Sequence, residues 1–170
     1  MEKLWSPWRS KYIESIKENN KSHGCVFCEV SNLDVDDPSN LLVDRGVLTF
    51  TVLNLYPYNN GHLMVLPYRH TSEFSSLTSS ELIEIMEKLQ LAEQALKSVL
   101  SPEGFNVGAN LGKVGGAGID EHIHFHIVPR WNGDTNFMPV LGEVKVISQD
   151  LVLTKKNLLK AYSEIKKRNS

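Results

Sequence analysis

Three histidines alternate in His122-Ile123-His124-Phe125-His126. In an extended strand successive side chains point to opposite faces, so this spacing puts the three imidazoles on one face. Ile123, Phe125 and Ile127 then fall on the other, where they can bury. Imidazoles exchange protons near neutrality and bind metals, so three in a row suit chemistry better than packing. The residues alone leave two uses open: a metal site, or nucleophilic and acid–base work on a phosphate or acyl group. A polar strand face turned to solvent is the plain alternative.

Directly before the histidines runs Asn110-Leu-Gly112-Lys-Val-Gly115-Gly116-Ala117-Gly118. Glycines let backbone N–H groups approach an anion, and consecutive amides can form a phosphate-binding nest. The stretch fits neither a P-loop nor a dinucleotide-binding fingerprint, because both need a helix to follow and here a strand is expected. Next to three imidazoles it makes phosphate the natural substrate group. A histidine can attack phosphorus, and the phosphoramidate formed splits one displacement into two easier steps. Amides and a second imidazole would then stabilise charge on the transferring oxygens. The two cysteines, Cys25 and Cys28, are too close to staple a fold and suit a metal or a redox pair in a reducing compartment.

The elements that must position these groups can be read from periodicity. Val47 to Leu53 is β-branched and aromatic and reads as a strand. Asn54 to Gly61 reads as a turn, and His62 to Leu66 as a second strand stopped by Pro67. Thr78 with Glu81 has the capping-box form, and behind it Leu82, Ile85, Met86, Leu89, Ala92, Leu96, Val99 and Leu100 repeat at helical spacing. Phe105 to Ala109 and His122 to Val128 are two more expected strands. Residues 151–170 carry weaker helical periodicity and end in Lys166-Lys167-Arg168, expected to be a solvated helix terminus. Trp5, Trp8, Tyr12, Ile13 and Ile16 suggest an arm packed on the domain or a partner subunit, and His23 a surface residue.

The chain has 170 residues, 41% hydrophobic and 22% charged, which suits about one globular domain. A formal net charge of −2 gives no general pull toward nucleic acid or membrane. No apolar run approaches the ~20 residues that span a bilayer. The start of the chain places aromatic and charged residues where a signal peptide needs an apolar stretch, so a cytoplasmic location is expected.

His122-Ile-His-Phe-His126-Ile-Val-Pro-Arg130 resembles the signature of the histidine-triad superfamily of nucleotidyl hydrolases and transferases. Asn60-Gly-His62-Leu-Met-Val-Leu-Pro67-Tyr-Arg-His70 looks like that family's strand ending in Pro-x-x-His, and Asn110 with its glycines looks like its phosphate loop. Leu4-Trp-Ser-Pro-Trp-Arg9, Gly115-Gly-Ala-Gly118 and residues 129–139 resemble the bacterial diadenosine tetraphosphate phosphorylase branch. The resemblance covers roughly residues 4–153.

The resemblance implies that His124 is the nucleophile and takes up AMP, and that His126 contacts phosphate oxygens or the leaving group. Asn110, Gly116, Ala117 and Gly118 would hold the phosphates, with Asn54 and His62 as further substrate contacts. Trp131 is expected to pack, although its indole N–H is a candidate donor to phosphate. Ile119 stands where smaller members often carry a hydroxyl, leaving only backbone to help. His122 either supports His124 or ligates zinc with Cys25, Cys28 and His70. Those four make a complete tetrahedral set, so the metal would be structural.

The fold expected is therefore α+β, a histidine-triad-like antiparallel sheet of about five strands with a long helix packed on it. An N-terminal arm (1–22), a core domain (23–153) and a C-terminal helical tail (154–170) make up the chain. The implied activity is cleavage of diadenosine tetraphosphate by phosphate to ADP and ATP through an adenylyl-histidine. Hydrolysis of dinucleoside polyphosphates or phosphoramidates is the alternative within this chemistry, and a nucleotide-binding module with little turnover the alternative outside it. A homodimer or higher homo-oligomer is implied, and no organic cofactor. For a phosphate acceptor, candidate donors are the Gly115–Gly118 amides, His126 and the segment Arg130-Trp131-Asn132-Gly133.

Overall fold

The computed structural model describes residues 24–134 and 150–169. The expected N-terminal arm, His23 and residues 135–149 lie outside them. Five strands form one antiparallel sheet: β1 (Leu42–Arg45), β2 (Thr49–Leu53), β3 (Leu63–Pro67), β4 (Gly104–Ala109) and β5 (Phe125–Arg130), in the order β1-β2-β3-β5-β4. The helices are α1 (Val26–Val30), α2 (Ser79–Leu100) and α3 (Leu151–Asn169), with a 3-10 turn at Phe74–Ser76. The α+β class and the five-stranded sheet agree with the sequence reading. β1 and α1 were not expected, since each is only four or five residues long and too short to show a period.

α2 starts where the capping box places it. Thr78 Oγ1 accepts from Glu81 N at 3.2 Å, and Glu81 Oε2 accepts from Thr78 N at 2.8 Å. Arg69 adds two bonds to the same carboxylate, at 3.0 and 2.8 Å, and holds it down at about 2 against the usual 4.5. The start of α2 is thus tied to the segment that carries His70.

Two apolar clusters cover the two faces of the sheet. Between the sheet and α2, Leu63, Val65, Ile123, Phe125 and Ile127 pack on Ile85, Leu89, Ala92 and Leu96. α3 joins this core through Leu158, Ala161, Tyr162 and Ile165. Its basic end is not wholly solvated: Lys166, together with Lys88 of α2, reaches the buried Asp44 carboxylate. Burying that carboxylate alone would be costly, and two ammonium groups compensate it. On the opposite face, Phe27 of α1 packs with Leu42, Phe50, Val52, Met64 and Leu66.

Candidate functional site: a histidine cluster beside a Cys2His2 group

The histidine strand begins later than expected. β3 and β4 both stop pairing with β5 at Phe125, so His122 and His124 precede the ladder and only His126 lies within it. Beyond that point β4 runs into the glycine loop, and the lead-in is pinned instead by Ile123 N–H donating to Thr71 O at 2.7 Å. The alternation survives. Ile123, Phe125 and Ile127 enter the core under α2, while the His122 and His124 rings lie against Phe27 on the other face. All three imidazoles are buried.

Each ring's tautomer follows from its partners, because a neutral imidazole carries one N–H and a carbonyl can only accept. His124 Nδ1–H donates to the main-chain carbonyl of His122 at 2.9 Å, which leaves a lone pair on His124 Nε2. His122 Nε2–H donates to Pro67 O at 2.9 Å, which leaves its Nδ1 as an acceptor. That Nδ1 faces Cys25 Sγ at 3.4 Å and Cys28 Sγ at 3.6 Å, and His70 Nδ1 lies 3.5 Å from Cys28 Sγ. The ligand atoms of Cys25, Cys28, His70 and His122 all lie within 4.8 Å of one another, a group able to hold a metal ion. Burial, and then the neighbouring Cys25, pushes the Cys28 thiol up, a cost that a cation would relieve.

A second chain of bonds runs to His126. Tyr58 N–H donates to His62 Nδ1 at 2.9 Å, and Asn54 Nδ2 approaches the same atom at 3.3 Å while Asn54 Oδ1 accepts from Tyr56 N. His62 must therefore carry its proton on Nε2, which donates to His126 Nδ1 at 2.9 Å. His126 then carries its proton on Nε2, a buried atom with no hydrogen-bond partner among the described residues. Burial, with a smaller contribution from His124, pushes His126 down to about 4, so it is neutral at neutral pH. The His124 and His126 rings stand 4.8 Å apart at 81°. A ring with a lone pair on Nε2 and a ring with an N–H on Nε2 thus stand side by side, the first able to attack an electrophile and the second able to donate.

The structure places the other expected residues unevenly around this pair. Asn54 and the fully buried His62 sit one layer behind His126 and hold it in place. Asn110 Nδ2 donates to Gly116 O and Tyr58 Oη, both at 3.3 Å, and so closes the glycine loop. Within that loop Gly115 N and Ala117 N both donate to Gly112 O, so those two amides are taken up by the turn. Ala117 is buried and Gly118 exposed, and Ile119 packs on the Phe27 cluster. Arg130 does not stand free for an acceptor anion, because its guanidinium is paired with Asp134 at 2.6 and 2.8 Å and with Asn106 at 2.8 Å. Trp131 follows β5, half-buried, its backbone N–H donating to Asp134 Oδ2. Tyr58 and Phe27 were not singled out in the sequence. An aromatic within the Pro/Asn/Gly turn was the available signal for Tyr58.

A sheet that brings a buried histidine cluster, a glycine loop and a Cys2His2 group together defines a class of site suited to handling phosphate esters. The HIT domain family model matches residues 37–133, and the chain belongs to that family. It is 45% identical over 163 residues to the AP-4-A phosphorylase of Mycobacterium tuberculosis, covering 93% of this chain and 83% of that one. It is 31% identical over 108 residues to the adenosine 5'-monophosphoramidase hnt1 of Schizosaccharomyces pombe, covering 64% of this chain and 75% of that protein. In structure it resembles a Zn-bound histidine triad family protein from Mycobacterium smegmatis, with TM-score 0.68 and 24% identity over 85% of this chain and 97% of that one. No helix among the described residues is long and apolar enough to cross a membrane.

Proposed function

We propose that the protein is a nucleotidyltransferase that cleaves diadenosine tetraphosphate with inorganic phosphate to ADP and ATP. His124 Nε2 attacks the α-phosphorus, a P–N bond forms, and the bridging P–O bond breaks with its electron pair leaving on ATP. His126 Nε2–H donates to the leaving phosphate or to the non-bridging oxygens as charge builds there. A phosphate oxygen then attacks the adenylyl-His124, the P–N electron pair returns to Nε2, and ADP departs. The observation that carries this reading is the pairing of opposite tautomers, a lone pair on His124 Nε2 beside a His126 Nε2–H that meets no acceptor among the described residues. Support for diadenosine tetraphosphate comes from the M. tuberculosis relative.

Zinc suits the Cys2His2 group. With Zn–S of about 2.3 Å and Zn–N of about 2.05 Å, a tetrahedron has S···N edges of about 3.6 Å. Three of the four Cys–His separations here are 3.4, 3.5 and 3.6 Å, and all the ligand atoms lie within 4.8 Å of one another. Bound there, the ion would cross-link α1, the segment after β3 and the lead-in to β5, a structural role with all four positions filled by protein. The His122 N–H on Pro67 O is the outer hydrogen bond that orients a metal-ligating imidazole. Free thiols at this site fit a reducing, cytoplasmic setting. A homodimer is supported by the edge strand β4, whose Asn106, Val107 and Gly108 are exposed, and by Ile83 and Met86 exposed on α2.

One observation favours hydrolysis as a second reading: the Arg130 guanidinium, a candidate for binding an acceptor phosphate, is held by Asp134 and Asn106. Product analysis of diadenosine tetraphosphate turnover with and without phosphate decides between them. A phosphorylase gives equal ADP and ATP with phosphate and slows sharply without it. AMP and ATP at one rate under both conditions would establish water as the acceptor.

A further inference from the structure

Tyr58 touches His62, His126 and Asn110, yet the proposed reaction assigns it no task. Its backbone N–H sets the tautomer of His62 at 2.9 Å. Its ring lies against His62, with centroids 4.6 Å apart, and against His126, 5.4 Å apart, at 39° and 34°. Its hydroxyl accepts from Asn110 Nδ2, the same nitrogen that donates to Gly116 O in the glycine loop. The residue is 47% exposed, so it gains far less from burial than a core aromatic would. Its placement is explained better by what it holds.

We propose that Tyr58 is a positioning residue that locks the glycine loop and His126 into one register. The ring fixes the plane of the His126 imidazole, so that its Nε2–H points toward the reacting phosphate. The hydroxyl fixes Asn110, and through it the far side of the loop at Gly116. Loop and donor then meet the phosphate chain at a set separation, which is what in-line transfer requires, since small misplacements of reacting groups are costly. The inference rests on the nucleotidyl-transfer reading for its kinetic consequence, and on geometry alone for its effect on His126.

Two variants separate the hydroxyl from the ring. Tyr58→Phe keeps the ring and loses the tie to Asn110, and should raise KM for diadenosine tetraphosphate by roughly 3- to 10-fold, the worth of one neutral hydrogen bond, with a smaller fall in kcat. Tyr58→Leu also loses the ring and should lower kcat by about tenfold or more, as expected when a reacting group is misplaced. In nitrogen-15 spectra of the wild-type protein His126 should show a single Nε2–H tautomer. The tautomer, fixed by His62, should persist in both variants. The His126 Nε2–H signal should stay sharp in Tyr58→Phe and broaden by exchange in Tyr58→Leu, where the ring plane is no longer held. An unchanged KM in Tyr58→Phe overturns the proposal, even if Tyr58→Leu does not fold. So does a His126 signal as sharp as that of the wild type in a folded Tyr58→Leu. If the wild-type protein does not turn over diadenosine tetraphosphate at all, the functional reading has failed, and the His126 spectra still decide the role of Tyr58.

Discussion

The main-chain carbonyl of His122 accepts a hydrogen bond from His124 Nδ1 at 2.9 Å, while the His122 ring turns away to Cys25 and Cys28. The sequence left His122 two roles, support of His124 or metal ligation. One residue can fill both, because support comes from its backbone and ligation from its ring. The orientation of the His124 ring is thereby tied to the Cys2His2 group through a single peptide unit.

Removal of the proposed nucleophile gives the first test. His124→Ala should leave the fold intact and abolish turnover, and His124→Gly or His124→Asn should still bind nucleotide. Rapid quench with labelled substrate should trap a covalent nucleotide on the wild-type protein and none on the variants. Residual activity above about a thousandth of wild-type kcat, a barrier change of only some 4 kcal/mol, would count against the covalent route, and absence of any trapped nucleotide would favour a binding module.

Loss of the metal ligands should reach the chemistry through His122. Elemental analysis should find one zinc per chain, and Cys25→Ser with Cys28→Ser should remove it and lower the melting temperature. Activity should fall in the same variant, because the loosened His122 segment no longer holds His124 Nδ1–H. Acid should also release the metal, since it reprotonates the thiolates that bind it. Substoichiometric zinc in protein purified without chelator would reject the assignment.

Much of this site was legible in the sequence, because alternation and spacing are local properties. The capping box fixed the start of α2, and the His-x-His-x-His pattern put the three histidines opposite Ile123 and Phe125. What could not be read is where the ladder ends. Phe125 is the first paired residue of β5 because β3 and β4 both leave there, a matter of three chain segments. The indirect place of His62 was hidden for the same reason, whereas Asp134 takes Arg130 from only four residues away, in a loop that has no period to read. Side-chain partners across long sequence separations leave no period behind.

The His62–His126 bond predicts a pH profile. His126 is held down to about 4, so above that its Nδ1 accepts from His62. Protonation would set two N–H groups against each other across 2.9 Å. Activity should therefore not depend on His126 from neutral pH down to roughly 5, and should fall as pH drops through about 4. His62→Leu removes the donor that fixes the tautomer and should lower kcat by roughly ten- to a hundredfold. An unchanged kcat in that variant would show that the relay is only packing.

Acid stability should report on Glu81. Its carboxylate is held at about 2 against the usual 4.5, so the contribution is complete above pH 4.5 and is lost as pH falls toward 2. Arg69 is 44% exposed, and solvent discounts the pair, so Glu81→Gln should cost ~1–2 kcal/mol at pH 7 and much less at pH 2. Urea titrations at the two pH values would show it. An equal cost at both would place the effect in the neutral hydrogen bonds of the cap.

The glycine loop offers the last test, because its glycines are constrained differently. A Cβ at Gly115 would lie 2.4 Å from Leu111 O, a backbone atom that cannot swing aside, so Gly115→Ala should deform the loop and raise KM for nucleotide. At Gly118 a Cβ would meet nothing within 4 Å, so Gly118→Ala should leave the melting temperature unchanged. If a phosphate seats on the Gly118 amide, the added methyl crowds the ligand, and KM should rise with no loss of stability. Calorimetry of nucleotide binding alongside thermal melts separates the two effects. A Gly118→Ala protein that binds as the wild type does would move the phosphate seat away from this amide and toward the His126 side of the loop.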